Sequence, residues 1–511
     1  MKTKELVLTF LCAFVVAWSI QHFILDRWFG TGPTVAQAVP QECKSLNKDV
    51  AFLEVSKSFQ PERTVIDVPW GSVTFTTAGA CVDALSFKQP TSDGHLMLNT
   101  ITPVEPLAPE RGNFLVALSS QTPLAYKQVS HTDGQEQVSI VYEARNDACV
   151  IQKRFTVYKN RYVIDIELAV APKSGQTVEP RILFNAPYMT IASEKQSVQT
   201  GDTVSAVVES GGSFKKMSVT AVSTDECWQS PSLMGADSRY FVHALIKDAQ
   251  QYCARGYYNV QGNGFLTVIL EGKPITQDAQ WALSFYCGPK EINSMAAVDT
   301  RLDQTLEYAG ILAPISKLLL KLLKFLYSLI GNYGLAIILL TILVKLLLLP
   351  FTYKSEASMR QQAEVQKKLA YLQQRYKDDP EKLNQERTEL IRKHGMPGLS
   401  GCLPLLLQLP LFIALSRVLY SSIELYKAPM WWIPDLSASD PYYILPVGVA
   451  IVMLLQAATV DAKQRLSVIA MALVFGALTV NFASGLALYI FVSTLLTVVQ
   501  TSTLRYFNIV K

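Results

Sequence analysis

The stretch NYGLAIILLTILVKLLLLP, residues Asn332–Pro350, is a nearly unbroken apolar run that contains one lysine, Lys345. About 20 apolar residues span the hydrocarbon core of a bilayer, so the run predicts a transmembrane helix. At 1.5 Å rise per residue, Lys345 lies roughly 18 Å from Tyr333 and roughly 8 Å from Pro350, within one leaflet. A lysine at the centre of a span costs about 2.5–3.5 kcal/mol, which either snorkelling to headgroups or a wet protein cavity can offset. The sequence alone leaves both explanations open.

The overall composition is that of a membrane protein. Half of the 511 residues are hydrophobic, only 17% are charged, and the formal net charge is +4. This balance favours a membrane class, and the length leaves room for several domains. Because no long basic block occurs, nucleic-acid binding is not expected.

Six of the eight cysteines fall in one segment that is not apolar: Cys43, Cys81, Cys149, Cys227, Cys253 and Cys287. If this segment is exported, up to three disulfides could form, in pairings that the sequence does not distinguish. No Cys-x-x-Cys pair occurs and the five histidines are scattered. Neither a zinc site nor a thioredoxin-like centre is therefore predicted, and no metal or cofactor is expected.

The amino-terminal residues 1–28 are predicted to form a transmembrane anchor. Leu6–Leu25 is an apolar run that follows two lysines, and its length favours an uncleaved anchor over a signal peptide. The cleavage-like triplet Ala36-Gln37-Ala38 lies farther beyond the run than a cleavage site normally does. The lysines favour a cytoplasmic amino terminus, which would send the following residues across the membrane.

Residues 29–310 are predicted to be a large exported domain with linkers. From about Cys43 to Asp299 the sequence consists of short alternating segments rich in Val, Thr, Phe and Tyr, separated by Gly, Asp, Asn and Pro. These are strand signals, and Lys159-Asn160 is a predicted hairpin turn. The pattern indicates an antiparallel β-sandwich. No nucleophile elbow, phosphate loop or His-Glu-x-x-His motif occurs, so no enzyme is predicted, although a cleft for a glycan or a peptide remains open.

Residues 311–330 are predicted to form an interfacial amphipathic helix. Lys317, Lys321 and Lys324 recur at helical spacing on one face of Pro314–Ser328, and leucines cover the rest. Such a helix would direct its lysines to headgroups and its leucines into the acyl boundary. The alternative is a helix packed on the β-sandwich.

Residues 354–394 are predicted to form a cytoplasmic helical hairpin. The segment carries ten Lys and Arg against seven Asp and Glu, and basic loops stay in the cytoplasm. Apolar residues recur at helical spacing, and Asp379-Pro380 is a signal for the start of a second helix. The hairpin is either a solvated connector or a docking surface for cytosolic partners.

Four further apolar spans follow, and with the span at 332–350 they give a five-helix core over residues 331–511. They are Cys402–Ser422, Tyr442–Ala458, Leu466–Phe482 and Gly485–Leu504. The acidic connection Ile423–Pro441 suits the outer side, whereas the short loop with Lys463 and Arg465 suits the inner side. The fold class is therefore a polytopic α-helical membrane protein with six transmembrane helices, both termini inside, and a large periplasmic β-sandwich.

Polar side chains occur within these spans and define a candidate groove. They are Thr341, Gln408, Gln456, Thr479, Asn481, Ser493, Thr494, Thr497 and Gln500. Ordinary interhelical hydrogen bonds of about 0.6 kcal/mol each would explain most of them. Thr341 and Lys345 are four residues apart, however, and so share one helix face. A cationic, hydroxylated face opposite polar side chains would make a wet groove, whereas Arg417 lies close to the outer headgroups and is explained by snorkelling.

The whole chain resembles the YidC-type membrane-protein insertases of Gram-negative bacteria, in the YidC/Oxa/Alb superfamily. The motifs that carry this resemblance are Gly331-Asn332-Tyr333-Gly334, Thr341 to Pro350, Gly401-Cys402-Leu403-Pro404 with Gln408 and Pro410, Asp440-Pro441-Tyr442-Tyr443-Ile444-Leu445-Pro446, and Ser484-Gly485-Leu486-Ala487-Leu488-Tyr489.

The resemblance implies a protein of the bacterial inner membrane that inserts and folds nascent membrane proteins. Lys345 stands where the family carries a groove cation, usually arginine, and Tyr489 also belongs to the implied groove. The groove would open to the cytoplasm and to lipid and be closed toward the periplasm. The implied partners are nascent membrane proteins, the lipid bilayer, Sec translocon subunits, and ribosomes or the signal-recognition machinery through the hairpin.

Three features depart from the family pattern. Lysine replaces arginine, and a buried lysine can lose its proton where arginine cannot. Ile490 follows Tyr489 where a second aromatic residue is often found. The basic tail that some members use on ribosomes does not follow Lys511.

Two other classes of function compete with this one. A secondary transporter or channel could bind an anionic solute at Lys345, but such proteins commonly show paired repeats with broken helices, and none is seen among the five closing spans. A membrane-anchored periplasmic protein acting on glycans would leave the charged hairpin and the polar spans unexplained.

Overall fold

The structure, a computed structural model, contains a β-rich unit and a helical unit, which are described separately. The β unit comprises Gly32–Ala309, and the helical unit comprises Gly310–Tyr420 and Leu425–Lys511. The described residues are 41–42, 51–52, 59–88, 97–101, 112–118, 121–122, 125–173, 175–187, 204–222, 226–260, 266–306, 312–376, 379–394, 403–457 and 462–506. The predicted anchor at residues 1–28, the Ala36-Gln37-Ala38 triplet and Cys43 lie outside them.

The β unit is built from short strands, as the alternating sequence pattern predicts. The described strands are β1 (Gln41–Glu42), β2 (Ala51–Phe52), β3 (Arg63–Val68), β4 (Gly71–Thr76), β5 (Cys81–Lys88), β6 (Met97–Ile101), β7 (Leu115–Leu118), β8 (Gln121–Thr122), β9 (Lys127–Asp133), β10 (Gln137–Arg145), β11 (Cys149–Tyr158), β12 (Val163–Pro172), β13 (Pro180–Asn185), β14 (Ser205–Ser210), β15 (Ser213–Ser218), β16 (Glu226–Gln229), β17 (Leu233–Asp237), β18 (Phe241–Asp248), β19 (Arg255–Val260), β20 (Leu266–Glu271) and β21 (Ala279–Pro289).

These strands form three sheets. The nine-stranded sheet has the order β15-β14-β17-β18-β21-β12-β11-β10-β9, the eight-stranded sheet β1-β16-β19-β20-β13-β7-β8-β2, and the four-stranded sheet β3-β4-β5-β6. Among the described strands, neighbours are antiparallel except for the short β2–β8 pair. The antiparallel β-sandwich prediction is therefore confirmed, with one local parallel exception.

The hairpin between β11 and β12 shows how local sequence fixes the register. Val157 pairs with Ile164, and β11 ends at Tyr158 while β12 begins at Val163. The predicted turn at Lys159-Asn160 is confirmed. Along β11, buried residues alternate with residues that are at least partly exposed, which is the period of a strand with one face in the core.

Aromatic rings fill the space between the sheets. Phe285 of the nine-stranded sheet lies 5.4 Å, centroid to centroid, from Phe184 of the eight-stranded sheet. Phe155 of the nine-stranded sheet lies 5.0 Å from Phe75 of the four-stranded sheet. Tilted and edge-on contacts at these separations are favourable beyond their area burial. The nine-stranded sheet therefore contributes rings to contacts with both of the other sheets.

One fully buried lysine, Lys153 of β11, links the three sheets. Its Nζ donates hydrogen bonds to the carbonyl oxygens of Gly79 at 2.8 Å, Ala80 at 2.9 Å and Phe114 at 3.0 Å. All three acceptor residues have a positive φ, a conformation that side chains larger than glycine rarely adopt. Burial lowers the pKa of Lys153 from 10.5 to about 7. This lysine holds strained backbone in the interior, and no sequence pattern indicated it.

The last strand is followed by a segment that Arg301 fastens to the sheet. Helix α1 (Ile292–Val298) and a 3-10 helix (Thr300–Thr305) form this segment. Arg301 donates to a Glu209 carboxylate oxygen at 2.9 Å and to the Ile246 carbonyl at 2.6 Å, and it pairs with Asp299 at 2.6 Å. Contacts to two strands from one guanidinium fix where the chain leaves the β unit.

The cysteines of the β unit are mostly free thiols. Cys81, Cys149, Cys253 and Cys287 are free and buried, whereas Cys227 is disulfide-bonded. The upper limit of three disulfides allowed by the sequence is therefore not reached. Burial raises the pKa of the Cys149 thiol to about 11 and that of Cys81 to about 12, so these thiols are unreactive in the folded unit.

The helical unit follows the predicted order of apolar and charged segments. Its described helices are α2 (Ala313–Ile330), α3 (Tyr333–Arg375), α4 (Pro380–His394), α5 (Leu403–Ser421), α6 (Ile444–Ala457), α7 (Ala462–Thr479) and α8 (Ser484–Tyr506). Two stretches of the described residues, Tyr333–Phe351 and Ser484–Thr503, are long and apolar enough to cross a membrane, and Pro410–Ser421 and Ile444–Leu455 are shorter apolar helices.

Helix α2 has two different apolar surfaces. Leu319, Leu323 and Leu326 are buried in the core of the helical unit, whereas Leu318 and Leu329 are exposed. The sequence-based expectation treated the leucines as one lipid-facing group. The structure divides them, because one side of α2 packs on the other helices and only the other side is exposed.

Helix α3 is longer than the span that contains Lys345. It runs without a break from Tyr333 through Pro350 to Arg375, about 65 Å at the usual rise. The apolar span and the first arm of the charged segment are thus one helix, and α4 supplies the second arm, which contacts α3. The sequence-based boundary between span and hairpin does not correspond to a helix end.

Candidate functional site

The start of α3 is defined by local sequence. Gly331 ends α2 in the left-handed conformation, with φ 74°, and the Asn332 side chain accepts a hydrogen bond from the Leu335 N–H at 3.1 Å. A glycine after one helix and an asparagine cap before the next are the usual signals for such a junction. This junction fixes which face of α3 carries Thr341 and Lys345.

Lys345 joins α3 to α8. Its Nζ donates a hydrogen bond to the Thr497 hydroxyl at 2.9 Å, and that hydroxyl donates to the Ser493 carbonyl at 2.8 Å. Lys345 and Thr497 are both half-buried. Because the lysine's partner is a neutral hydroxyl, this contact orients the ammonium without neutralising its charge.

The face of α3 changes character along its length. Ala336, Ile337 and Leu340 are fully buried in the helical core, and Thr341 is buried with its hydroxyl bonded to the Ile337 carbonyl at 2.7 Å. One turn later Lys345 is only half-buried. The polar part of this face therefore lies where the packed core begins to open, in the direction of the charged half of α3.

Beside Lys345, α3 exposes a large apolar surface. The exposed side chains are Leu343, Leu346, Leu347, Leu349 and Phe351. Exposed leucines next to a half-buried lysine combine an apolar surface with a cationic side chain. Such a surface suits a ligand that is apolar along most of its length and polar at one end.

Residues 425–443, which we name the 425–443 loop, cover the starts of α3 and α8, at the end remote from Lys345. The Asn332 side chain donates to the Pro429 carbonyl at 3.3 Å, and Gly485 N–H donates to the Leu436 carbonyl at 2.8 Å. Met430 packs so closely on Gly334 that a Cβ there would overlap its thioether. The starts of α3 and α8 are therefore closed by packed chain.

Two acidic residues of this loop serve as backbone acceptors. Asp435 accepts from the N–H groups of Lys427 at 2.9 Å and Ser437 at 2.7 Å. Asp440 is buried and accepts from the Leu445 N–H at 2.8 Å. The net charge of this connection indicated only an outer location, but Asp-x-Ser and Asp-Pro are turn signals that indicate such local bonds.

Five of the predicted groove residues lie on α8, at different depths, and one of them is the half-buried Gln500. Thr497 bonds Lys345, whereas the Thr494 hydroxyl bonds the Ile490 carbonyl of its own helix at 2.8 Å, and Ser493 is buried. Tyr489 is buried with its ring 6.4 Å from that of Phe412, roughly 12 Å along the helix from Thr497.

Thr479 and Asn481 lie near the start of α8, not near Lys345. Thr479 is buried, with its hydroxyl bonded to the Gly476 carbonyl at 2.7 Å, and Asn481 is exposed in the turn that precedes Ser484. The start of α8 is roughly 20 Å along the helix from Thr497. Gln408 and Gln456 belong to α5 and α6, and their side chains lie outside the described part of the structure.

Comparisons with known proteins find relatives that match both units of the chain. The model of the 60Kd inner membrane protein family matches residues 325–510, and that of the YidC periplasmic domain matches residues 112–322. The membrane protein insertase YidC of Bordetella petrii is 31% identical over 409 residues, which cover 75% of this chain and 70% of that protein. The crystal structure of an active YidC insertase covers 95% of this chain and 98% of its own, with 17% identity and a TM-score of 0.35.

The membrane protein insertase YidC of Geotalea uraniireducens is 36% identical over 271 residues, and this chain spans about half of its length, 51%. The Bordetella protein shares more than 30% identity over more than two thirds of both chains, and the two family models match residues 112–322 and 325–510 in turn. The chain therefore belongs to the YidC family of membrane protein insertases.

Proposed function

We propose that this protein inserts and folds newly made membrane proteins in the bacterial inner membrane, without covalent chemistry. Relatives that match most of the chain are named membrane protein insertases. The observation that carries the proposal is the half-buried Lys345, bonded to Thr497 within apolar helices. A cation retained in such surroundings is expensive and is by default a sign of function.

The barrier to insertion is the desolvation of polar groups that enter the bilayer. Lys345 with Thr497 and Thr341 would hold water and an acidic flank of the substrate part-way across. The exposed leucines of α3 would guide the apolar helix of the substrate into lipid. The packed 425–443 loop supports closure of the groove at the opposite end.

The remaining groove residues stay predictions, and they lie at different distances from Thr497 along the helices. Ser493 and Thr494 lie within one turn of Thr497 and fit the same groove. Thr479, Asn481 and Tyr489 lie farther along the helices, and a role for them requires a substrate that reaches deeper. Gln408 and Gln456 are retained from the sequence alone.

The topology we propose has six spans, with both termini and residues 354–394 in the cytoplasm and residues 43–300 in the periplasm. The helical arms of α3 and α4 then offer a surface to ribosomes or the signal-recognition machinery, and the Sec translocon is a further partner. Reporter fusions test this topology. If a reporter that works only in the periplasm is active when fused after Lys367, the topology is excluded.

The central experiment replaces Lys345 and measures insertion of a small membrane protein with an acidic translocated segment, in cells depleted of the native insertase. Lys345→Arg should support insertion because it keeps the cation, whereas Lys345→Ala and Lys345→Glu should impair it with the protein still folded. Removing a lone intramembrane cation relieves a burial penalty. A purely structural role therefore predicts unchanged or higher stability and normal insertion.

Matched controls are available on the same helices. Thr497→Val removes the partner of Lys345, whereas Thr494→Val removes a hydroxyl that bonds only its own helix. We expect the Thr497 change to reduce insertion more than the Thr494 change. Arg417→Ala should have a weaker effect than Lys345→Ala. Normal insertion by both Lys345→Ala and Lys345→Glu would show that the groove works without this charge.

A further inference from the structure

The 425–443 loop exposes large aromatic side chains although the loop itself is well packed. Trp431 is 73% exposed, Tyr442 68% and Tyr443 53%. In the same loop Met430, Ile433 and Leu436 are buried in the core of the helical unit. The loop is therefore a fixed support that directs three aromatic rings outward.

Trp431 is held outward by a strained turn. Met430 and Ile433 exchange two backbone hydrogen bonds of 2.8 Å, so that Trp431 and Trp432 form a two-residue turn, and Trp431 has φ 49°. A bulky residue rarely adopts this conformation unless its surroundings impose it. Trp432 packs against the helical core, and this packing fixes its neighbour on the outside.

Tyr442 and Tyr443 are fixed in a similar way by the buried Asp440. One carboxylate oxygen of Asp440 accepts from the Tyr442 N–H at 3.1 Å and the other from the Leu445 N–H at 2.8 Å. Tyr443 has φ 56°. The exposed Lys427 of this loop also has a positive φ, 52°. Left-handed backbone in this loop thus recurs at exposed residues whose side chains combine an apolar body with a polar tip.

The tyrosines continue an apolar stripe on the adjoining helix. Ile444, Val447, Ile451 and Leu455 are all exposed, and their spacing places them on one side of α6. Unpaired apolar stripes on the helices of a membrane protein face acyl chains. The tyrosines lie where this stripe meets the end of the helix.

Tryptophan and tyrosine rings concentrate at the boundary between acyl chains and headgroups because each has an apolar body and a hydrogen-bonding tip. We propose that Trp431, Tyr442 and Tyr443 dock the 425–443 loop into the phospholipid headgroup boundary, at the end of the helices remote from the charged half of α3. The partner is the lipid surface. By holding this end at a fixed depth, the loop would set the depth at which Lys345 lies.

This inference depends on the protein's being embedded in a membrane and not on its insertase activity. The test therefore measures lipid contact directly. The full-length protein is reconstituted in phosphatidylcholine and phosphatidylglycerol vesicles that carry bromine either near the headgroups or near the ends of the acyl chains. The fluorescence contributed by Trp431 is the difference between the wild type and Trp431→Phe. The half-buried Trp281 of the β unit, measured as the difference from Trp281→Phe, is the control.

We expect the Trp431 contribution to be quenched more strongly by bromine near the headgroups than by bromine near the chain ends. The Trp281 contribution should be quenched by neither. Tyr443→Trp, which adds an indole at a second position of the patch, should add a signal with the same depth preference. Stronger quenching by the deep bromines, or quenching by aqueous acrylamide without any effect of bromine, would overturn the proposal and leave the patch facing the bilayer core, water or another protein.

Discussion

Lys153→Met tests whether one buried ammonium holds the sheets of the β unit together. The substitution keeps most of the side-chain volume but leaves the carbonyls of Gly79, Ala80 and Phe114 without their donor. A buried polar group without a partner destabilises a fold by about 1–3 kcal/mol. In the ammonium form, which has three N–H donors, three such groups predict that unfolding of the β unit becomes easier by at least about 3 kcal/mol. The neutral amine that prevails above about pH 7 has two N–H donors and predicts at least about 2 kcal/mol. The three acceptor residues also have left-handed backbone conformations, and these would relax once the hydrogen bonds to Lys153 are lost.

The same residue predicts a dependence on pH. The pKa of Lys153 is lowered from 10.5 to about 7 in the folded unit, so between these values the unfolded chain binds a proton that the folded chain does not. Stability attributable to Lys153 should therefore rise with pH, by up to about tenfold in the unfolding equilibrium constant per pH unit. Below about pH 7 both states hold the proton and the slope disappears. The useful window is pH 7–9. Above pH 9 the thiols of the unfolded chain, whose ordinary pKa is 9.0, also lose protons and add a pH dependence of their own.

The assay is amide hydrogen exchange of β11 and β12 in the full-length protein, corrected for the intrinsic exchange rate at each pH. The difference between the wild type and Lys153→Met isolates the lysine. The control is Lys159→Met at the end of the same hairpin, where an ion pair with Asp133 at 2.7 Å lies at the surface and should contribute less than about 1 kcal/mol. Equal protection in the wild type and Lys153→Met, or a difference that does not change over the window, would refute the reasoning.

Three further predictions concern the rest of the chain. Gly334→Val should overlap Met430 and lower the stability of the helical unit by about 1–3 kcal/mol. Adding Met430→Ala to this variant should restore part of the lost stability. If it restores none, the overlap with Met430 is not the cause, because the 425–443 loop has moved to make room for the valine. Arg301→Gln should remove charged hydrogen bonds of about 1.5–3 kcal/mol each and speed amide exchange of α1 more than the surface change Arg145→Gln does; equal rates would show that other contacts hold this segment. A maleimide should leave the four free thiols unmodified in the native protein because they are buried; labelling of the four without denaturant would contradict their burial.

The order of elements was predictable because it depends on local patterns. Alternation of apolar residues predicted the strands, and the turn at Lys159-Asn160 followed from the polar residues between two such runs. Long apolar runs predicted the helices of the second unit, with ends displaced by a few residues. The predicted boundary between the apolar span and the charged hairpin was wrong, because α3 passes through Pro350 without ending. The proline was compatible with a helix end but did not require one.

The candidate site was only partly predictable. Helical spacing placed Thr341 and Lys345 on one face of α3, since four residues make about one turn. The spacing did not indicate that Thr497, 152 residues later, meets the lysine, or that Thr479 lies near the other end of α8. Which polar side chains meet depends on the rotation and depth of each helix, and these result from packing of the whole unit.

The sequence by itself determined the two-part organisation, the β and α character of each part, and the presence of a cation inside an apolar run, because each is a property of composition or short-range period. The tertiary structure decided that Lys153 bridges three sheets, that four cysteines stay free, and that Trp431 faces outward while Trp432 packs inward. These outcomes depend on contacts between residues distant in the chain. Such contacts form only when large apolar surfaces are buried together, and no local pattern specifies them.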